Sequence, residues 1–162
     1  YSQEAVAELD RVARHPLVRG VGLMTNSAEW TLDDPRFEDF YAHSAELGFP
    51  VVPHLGGVIP YLAQRAVDLS GSGAAQHDIL HYCRHRLYFD TCSFHSPALR
   101  CACDTVGPDR LLLGSDYPFR GVLERCVSDI ERSGLSEDQQ AAIFGGTASR
   151  WFAVTDRTER DD

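Results

Sequence analysis

The chain lacks the sequence features of several large protein classes. None of its apolar runs approaches the roughly 20 residues of a membrane-spanning helix, and the N-terminus has neither the basic start nor the apolar middle of a secretion signal. Positive charge is scarce, since 15 Lys and Arg residues against 24 Asp and Glu residues give a net charge of −9. Because phosphates and anionic lipids are bound by basic surfaces, we expect neither a nucleic-acid partner nor a membrane partner.

Motifs for nucleotide binding and for serine-based catalysis are also absent. The sequence contains no G-x-G-x-x-G, no P-loop and no G-x-S-x-G, so we set aside dinucleotide, kinase and nucleophile-elbow chemistry. The five cysteines are an odd number without a secretion signal, which predicts reduced thiols and a cytoplasmic location. On a helix, the side chains of Cys101 and Cys103 would point about 200° apart, so we expect no metal or redox pair there.

Helical and strand patterns alternate along the chain with short connections, which predicts an α/β fold with a parallel sheet and crossover helices. Strand character is found in residues 17–24, 49–54, 86–91 and 110–113, and helical character near residues 3–14, 34–48, 59–67, 76–84, 97–106, 122–132 and 137–144. We predict one domain over residues 1–154 and a charged tail over 155–162. A closed (β/α) barrel needs eight strands and about 250 residues, so four strands would leave an open edge or core.

Local signals predict where several of these helices begin and end. Asp34, followed by a proline, is a predicted N-cap, and Gly48 is predicted to end the same helix. Ser96 is predicted to cap the helix that follows it. Ser136 and Gln139 form the pattern of a capping box.

Three polar side chains are predicted to lie at the carboxyl ends of strands, where parallel α/β proteins bind ligands. Asp116 follows the strand 110–113, and position alone leaves open whether it is functional or only caps the next turn. His54 ends the strand 49–54, where it could be a metal ligand, a proton shuttle or a loop-stabilising hydrogen-bond partner. Asp90 ends the strand 86–91, and we expect it to support the strand ends through hydrogen bonds.

A second histidine-based metal site is conceivable on a helix. His77, His81 and His85 follow one another at a spacing of four residues, and two histidines one helical turn apart can bind zinc. The segment lacks the glutamate of the H-E-x-x-H motif. We therefore interpret these residues as a solvated polar face, with a zinc site as the alternative.

Four segments of the chain resemble the amidohydrolase-2 family, which includes aminocarboxymuconate-semialdehyde decarboxylase and the resorcylate-type decarboxylases. In chain order the segments begin with His54-Leu-Gly-Gly-Val-Ile-Pro-Tyr, Leu87-Tyr-Phe-Asp-Thr, Val106-Gly-Pro-Asp-Arg-Leu-Leu-Leu-Gly-Ser-Asp-Tyr-Pro-Phe and Ile143-Phe-Gly-Gly-Thr. The resemblance implies a partial (β/α)8 TIM-type barrel. The strands here would correspond to barrel strands 4 to 8, with a gap between strands 5 and 6.

The resemblance also implies a metal-dependent decarboxylase or hydrolase that acts on a small carboxylate or aromatic acid. The family's site combines an H-x-H pair, two further histidines and an aspartate around a divalent ion, with zinc as the first expectation and manganese as the alternative. Asp116 resembles the metal-binding aspartate, and His54 resembles the acid–base histidine and lies in the same metal site. One histidine thus stands where the family has two.

No H-x-H sequence occurs in the chain. Because a catalytic zinc ion normally has three protein ligands, we expect this chain to be incomplete and inactive alone, and the metal to be absent from it. The alternative is a catalytically dead partial barrel that serves as a binding or assembly module. Open apolar strand edges predict self-association into homo-oligomers.

Overall fold

The computed structural model of the protein describes residues 2–27, 30–32, 34–69, 77–119 and 122–152. The α-helices are α1 Ser2–Ala13, α2 Glu38–Glu46, α3 Ile59–Leu69, α4 Ile79–His85, α5 Ser96–Val106, α6 Leu123–Glu131, α7 Glu137–Ala141 and α8 Thr147–Phe152. The strands are β1 Val21–Leu23, β2 Asn26–Ser27, β3 Trp30–Thr31, β4 Val51–Pro53, β5 Phe89–Asp90 and β6 Leu111–Leu112. No helix within these residues is long and apolar enough to cross a membrane.

Two of the three strand pairs are parallel, as the alternating pattern predicts. β1 pairs with β4, and β5 pairs with β6, each in parallel register. β4 also contacts β5, which brings the two pairs side by side. Parallel strands that follow one another through helices place their carboxyl ends at the same edge. The three strand ends that bear the candidate residues therefore lie together.

The strands are shorter than their sequence patterns predict. The predicted segments 17–24, 86–91 and 110–113 contain only three, two and two residues of paired strand, respectively. Between the first predicted strand and the helix predicted from residue 34, where no element is predicted, an antiparallel pair forms in which β2 pairs with β3. An apolar run indicates which residues are buried. The length of a strand depends instead on how far its hydrogen-bonded partner extends, and the run itself contains no information about that partner.

Most of the predicted helix-capping residues are confirmed. Asp34 accepts a hydrogen bond from the Arg36 N–H at 3.0 Å, and both hydrogen bonds of the capping box between Ser136 and Gln139 are present. The prediction for Ser96 is wrong, because it is the first residue of α5 and its hydroxyl donates to the Asp129 carbonyl at 3.1 Å. That tertiary contact removes the hydroxyl from the helix end.

The C-terminal helix also differs from its prediction. The predicted helix over residues 137–144 is α7 followed by a π-helical turn over Ala142–Gly146, and α8 continues it to Phe152. The wider turn carries Ile143 into the core, and its carbonyl accepts a hydrogen bond from the Leu113 N–H at 3.1 Å. The π-helical turn thereby fixes the end of β6, directly before the segment that bears Asp116.

The core lies between α5, β5, β6 and the C-terminal helices. Its buried members are Cys83, Phe89, Leu99, Cys103, Val106, Leu111, Ile130, Leu135 and Ile143. The three buried residues of α5, Leu99, Cys103 and Val106, are all among them. Cys103 belongs to this cluster while Cys101 is only partly buried, as their opposite directions on a helix predict.

His43 joins α1 to α2 through its imidazole ring. Its Nε2 lies 2.7 Å from Asp10 Oδ1, and its Nδ1 lies 3.3 Å from Glu46 Oε2. The hydrogen bond with Asp10, with a smaller contribution from Glu46, raises the pKa of His43 above its ordinary value. A raised pKa means that the contact stabilises the fold fully below the unfolded pKa of about 6.5 and is lost as pH rises through the folded value.

We expect an NMR titration of His43 to give a raised pKa that falls back toward the ordinary value in Asp10→Asn. The same substitution should reduce the pH dependence, above neutrality, of the free energy with which α1 packs against α2. A titration of His43 that Asp10→Asn leaves unchanged would contradict the contact.

Candidate active site

His54 begins a 3-10 turn, His54–Gly56, directly after β4. Gly56 follows with φ +63°, and a Cβ there would come within 2.8 Å of the Phe89 ring. Glycine is therefore required for the turn to pack against β5. The turn leaves the His54 imidazole half-buried at the carboxyl ends of the strands, with 25% of its side chain exposed.

Asp90, at the end of β5, orients His54. Its Oδ2 lies 2.8 Å from His54 Nδ1, and its Oδ1 accepts the backbone N–H of Cys92 at 3.1 Å. An ionised carboxylate can only accept hydrogen bonds, so Nδ1 carries the proton in this pair and Nε2 is the free ring nitrogen. The supporting role predicted for Asp90 agrees with this geometry.

Asp116 faces the other nitrogen of the same imidazole. Its Oδ1 lies 3.9 Å from His54 Nε2, and 21% of its side chain is exposed. The residue has φ +59°, a left-handed conformation that aspartate tolerates better than most side chains. The structure thus brings together the two predicted site residues, His54 and Asp116, with Asp90 on the opposite side of the ring.

Cys92 is part of the same cluster and was not predicted from the sequence. Ligand atoms of His54, Asp90 and Cys92 all lie within 4.8 Å of one another. Burial first and the Asp90 carboxylate second raise the pKa of the Cys92 thiol to about 12. Its position directly after Asp90-Thr91 at a strand end is the sequence signal that could have drawn attention to it.

Gly114 makes room for this thiol. A Cβ on Gly114 would lie 2.6 Å from Cys92 Sγ, closer than real Cβ atoms come, and 3.0 Å from Asp90 Cβ, which is tighter than most real Cβ contacts. The Gly114 N–H also donates to Thr91 Oγ1 at 3.2 Å. The end of β6 therefore lies directly against the residues that follow β5.

The helix-borne zinc alternative is not supported by the geometry. His77 precedes α4 instead of lying on it, and the three histidine rings stack in series, with centroids 3.8 Å and 4.6 Å apart. Over residues 77–85, all of which the structure describes, these side chains form no group with converging ligand atoms. His81 has a lowered pKa, with desolvation first and the neighbouring histidines second among the causes.

A small cleft of about 190 Å³ opens beside Asp90. It is lined by Gly57, Pro60, Tyr61, Asp90, Thr91, Ser93, Ala98, Leu99, Cys101 and Ala102. Ligand pockets usually measure about 300–1,000 Å³, so this cleft amounts to part of one. Larger depressions lie between α1 and α2 and beside Trp151, but they are more open and contain neither His54, Asp90 nor Asp116.

Residues 58–154, more than half of the chain, match the sequence model of the amidohydrolase family. The chain belongs to the amidohydrolase-2 family. The match takes in the strand ends that bear Asp90 and Asp116, while His54 lies just before it. The expectation drawn from the four segments is thereby confirmed.

Two curated proteins share part of the sequence. A 2-keto-4-carboxy-3-hexenedioate hydratase from Sphingobium sp. is 26% identical over 115 residues, which are 65% of this chain and 33% of the hydratase. An L-fucono-1,5-lactonase from Burkholderia multivorans is 39% identical over 62 residues, 35% of this chain and 21% of the lactonase. The chain thus spans about a third or less of these relatives.

Solved structures share the fold over nearly all of the chain. A dihydroxybenzoic acid decarboxylase from Polaromonas sp., crystallised with manganese and the inhibitor 2-nitroresorcinol, superposes with a TM-score of 0.76 at 17% identity. The superposition covers 94% of this chain and 66% of the decarboxylase. The chain therefore has the α/β architecture of part of such a protein. The assignment of its strands to barrel strands 4 to 8 stays a prediction.

Proposed function

We propose that this chain supplies part of the active site of a metal-dependent lyase or hydrolase that acts on a small carboxylate, with aromatic acids as the favoured class. Family membership supports the reaction class. The decarboxylase with which the chain superposes contains manganese and a substituted resorcinol. The hydratase that the chain resembles is named for a carboxylate substrate.

The position of the His54 ring carries the proposal. Its Nδ1 is held by Asp90 at 2.8 Å, and its Nε2 faces Asp116 Oδ1 at 3.9 Å. The second distance exceeds the upper limit of about 3.2 Å for a good hydrogen bond. It approaches the spacing of about 3.4 Å between two ligands of one tetrahedral ion. A carboxylate that orients a metal-binding histidine through its other nitrogen is a recurrent arrangement in metalloproteins.

These donors fit a divalent ion, with His54 Nε2 and Asp116 Oδ1 as two of its ligands. When bound, such an ion polarises a carboxylate or carbonyl oxygen or lowers the pKa of a water molecule. Imidazole and carboxylate ligands suit both manganese and zinc. Two ligands are fewer than a catalytic site requires, so the remaining donors belong to parts of the family's barrel outside this sequence.

The side chains of this chain would then position the substrate and move one proton. Asp90 keeps Nε2 of His54 directed toward the site. The second carboxylate oxygen of Asp116 can accept a proton from water or a substrate hydroxyl and return it to carbon after the carboxylate leaves as CO2. The cleft beside Asp90 has Tyr61 and Leu99 in its wall and offers an apolar surface next to the site, although neither His54 nor Asp116 lines it.

We expect Asp116→Asn to remove bound manganese or zinc, measured by elemental analysis after dialysis. In a preparation in which the remaining donors complete the site, it should also abolish CO2 release from a panel of hydroxybenzoic acids. Asp90→Asn should weaken metal binding about 10–100-fold, because it only orients the ligand. Asp109→Asn is the matched control, since Asp109 precedes β6 at its opposite end and its side chain is 56% exposed. Metal content unaffected by Asp116→Asn would refute the proposal.

A second candidate is a partial barrel that binds or assembles without catalysis. The observation in its favour is that the described chain provides two of the family's five site residues, His54 and Asp116. A folded protein that stays metal-free and inactive on the whole panel even when the remaining donors are supplied would support this alternative. Self-association, which remains a prediction, would be measured by light scattering.

A further inference from the structure

The cluster around His54 contains a second arrangement of ligand atoms that the proposed catalytic ion does not use. His54, Asp90 and Cys92 each offer one ligand atom, and these atoms lie within 4.8 Å of one another. Asp116 is outside this group. All three residues come from one chain and from two neighbouring strand ends, so nothing beyond this sequence is needed to complete the arrangement.

We propose that His54, Asp90 and Cys92 form a zinc-type site of their own, with nitrogen, oxygen and sulfur ligands and a fourth position open to water. In a tetrahedral zinc site with bonds of about 2.0–2.3 Å, ligand atoms lie about 3.3–3.7 Å apart. The His54–Asp90 pair, at 2.8 Å, would need to separate slightly. The wider spacings in the group would need to close by about 1 Å, a shift within the range of side-chain rotation.

The surroundings of the thiol favour a cation. The Asp90 carboxylate belongs to this group, and Asp116 Oδ1 lies 3.9 Å from the same His54 ring, so negative charge surrounds the position that the ion would take. A zinc ion bound by one carboxylate and one thiolate is neutral overall, which lowers the cost of placing it in a half-buried site. Binding would displace the thiol proton into solution, while the Nδ1 proton of His54 moves to Nε2 of the neutral ring, so ion uptake should release one proton.

The thiolate also sets the selectivity of this site. Sulfur ligands favour zinc and cobalt over manganese, whereas the carboxylate and imidazole of the proposed catalytic site accept manganese as well. The two arrangements share His54, through Nδ1 here and through Nε2 there, and they cannot both be fully formed around one ring. Zinc in the His54–Asp90–Cys92 site would therefore disturb the orientation of His54 that the proposed function requires.

Cobalt titration of the chain tests this inference without an activity assay. Cobalt bound to a thiolate shows sulfur-to-metal charge-transfer absorption in the near ultraviolet. We expect this absorption in the unmodified chain and in Asp116→Asn, and its loss in Cys92→Ser and His54→Gln. Cys101→Ser is the matched control, because Cys101 is partly buried on α5 and lies outside the group. Cys92→Ser should also weaken zinc binding by at least about 100-fold, since two protein ligands remain.

The outcomes separate this site from the proposed function, on which it does not depend. Cobalt that binds without thiolate absorption, or with absorption that persists in Cys92→Ser, would overturn the inference. Absence of cobalt binding would overturn it as well. In each case the proposed function is decided by manganese content and its dependence on Asp116. Circular dichroism of the metal-free variants checks that each one is folded.

Discussion

Replacing Phe89 by alanine is expected to lower the free energy of unfolding by about 3–5 kcal/mol. Phe89 is 1% exposed and belongs to the buried cluster with Leu111, Ile130 and Ile143. The alanine would leave a cavity at a position where strand and helix backbones limit collapse. Because domains are stable by only about 5–15 kcal/mol, urea unfolding followed by circular dichroism should show a large fall in the midpoint.

The control is Phe119→Ala, because Phe119 is 85% exposed and its loss should change stability by no more than about 0.5 kcal/mol. Phe89→Ala has a second consequence at the site. The ring packs against the Gly56 backbone in the turn that begins with His54. Metal affinity should therefore fall even at temperatures where the variant remains folded. Equal midpoints for the two variants would contradict this account of the core.

The order of elements and the positions of the candidate residues are predictable because both depend on local signals. Apolar runs, the Asp34 cap and the capping box at Ser136 are each visible within a few residues. His54, Asp90 and Asp116 each follow such an apolar run. The rule that parallel strands share a carboxyl edge then predicts that these side chains meet.

The features that sequence reasoning missed depend on contacts between distant segments. Serine is a common helix-capping residue, but the hydroxyl of Ser96 donates a hydrogen bond to the Asp129 carbonyl, 33 residues away. Cys92 enters the site because Gly114, two residues after β6, has no side chain to exclude the sulfur. Neither contact leaves a periodic or local pattern, so only the packing of the strands and helices reveals it.

The environment of His54 links the fold to the two proposed metal sites. One carboxylate is 2.8 Å from one ring nitrogen, and another is 3.9 Å from the other. The ring can therefore present either nitrogen to an ion, while Asp90 acts as an orienting partner in one case and as a ligand in the other. The sulfur of Cys92 distinguishes the two proposed sites, because it belongs to the group with His54 and Asp90 and is not a ligand in the His54–Asp116 site. Residues that hold this sulfur in place consequently matter for metal selectivity as well as for stability.

Gly114→Ala tests this dependence directly. The new Cβ would come 2.6 Å from Cys92 Sγ and 3.0 Å from Asp90 Cβ, so we expect a loss of about 1–3 kcal/mol from overpacking. Gly22→Ala is the matched control, since Gly22 lies in the parallel pair of β1 and β4 and a Cβ added there would meet nothing within 4 Å. Alanine reduces the conformational entropy of the unfolded chain relative to glycine. That control should therefore be neutral or more stable by up to about 1 kcal/mol.

Combining Gly114→Ala with Cys92→Ala completes a double-mutant cycle. Removal of the sulfur eliminates the closer of the two contacts, so the double variant should be more stable than the sum of the single effects predicts, by about 0.5–3 kcal/mol. Gly114→Ala alone should also displace the thiol and reduce cobalt–thiolate absorption, while Gly22→Ala should leave it intact. Strict additivity in the cycle would mean that Gly114 and Cys92 do not constrain each other. The packing at the end of β6 would then not be what positions the sulfur beside His54 and Asp90.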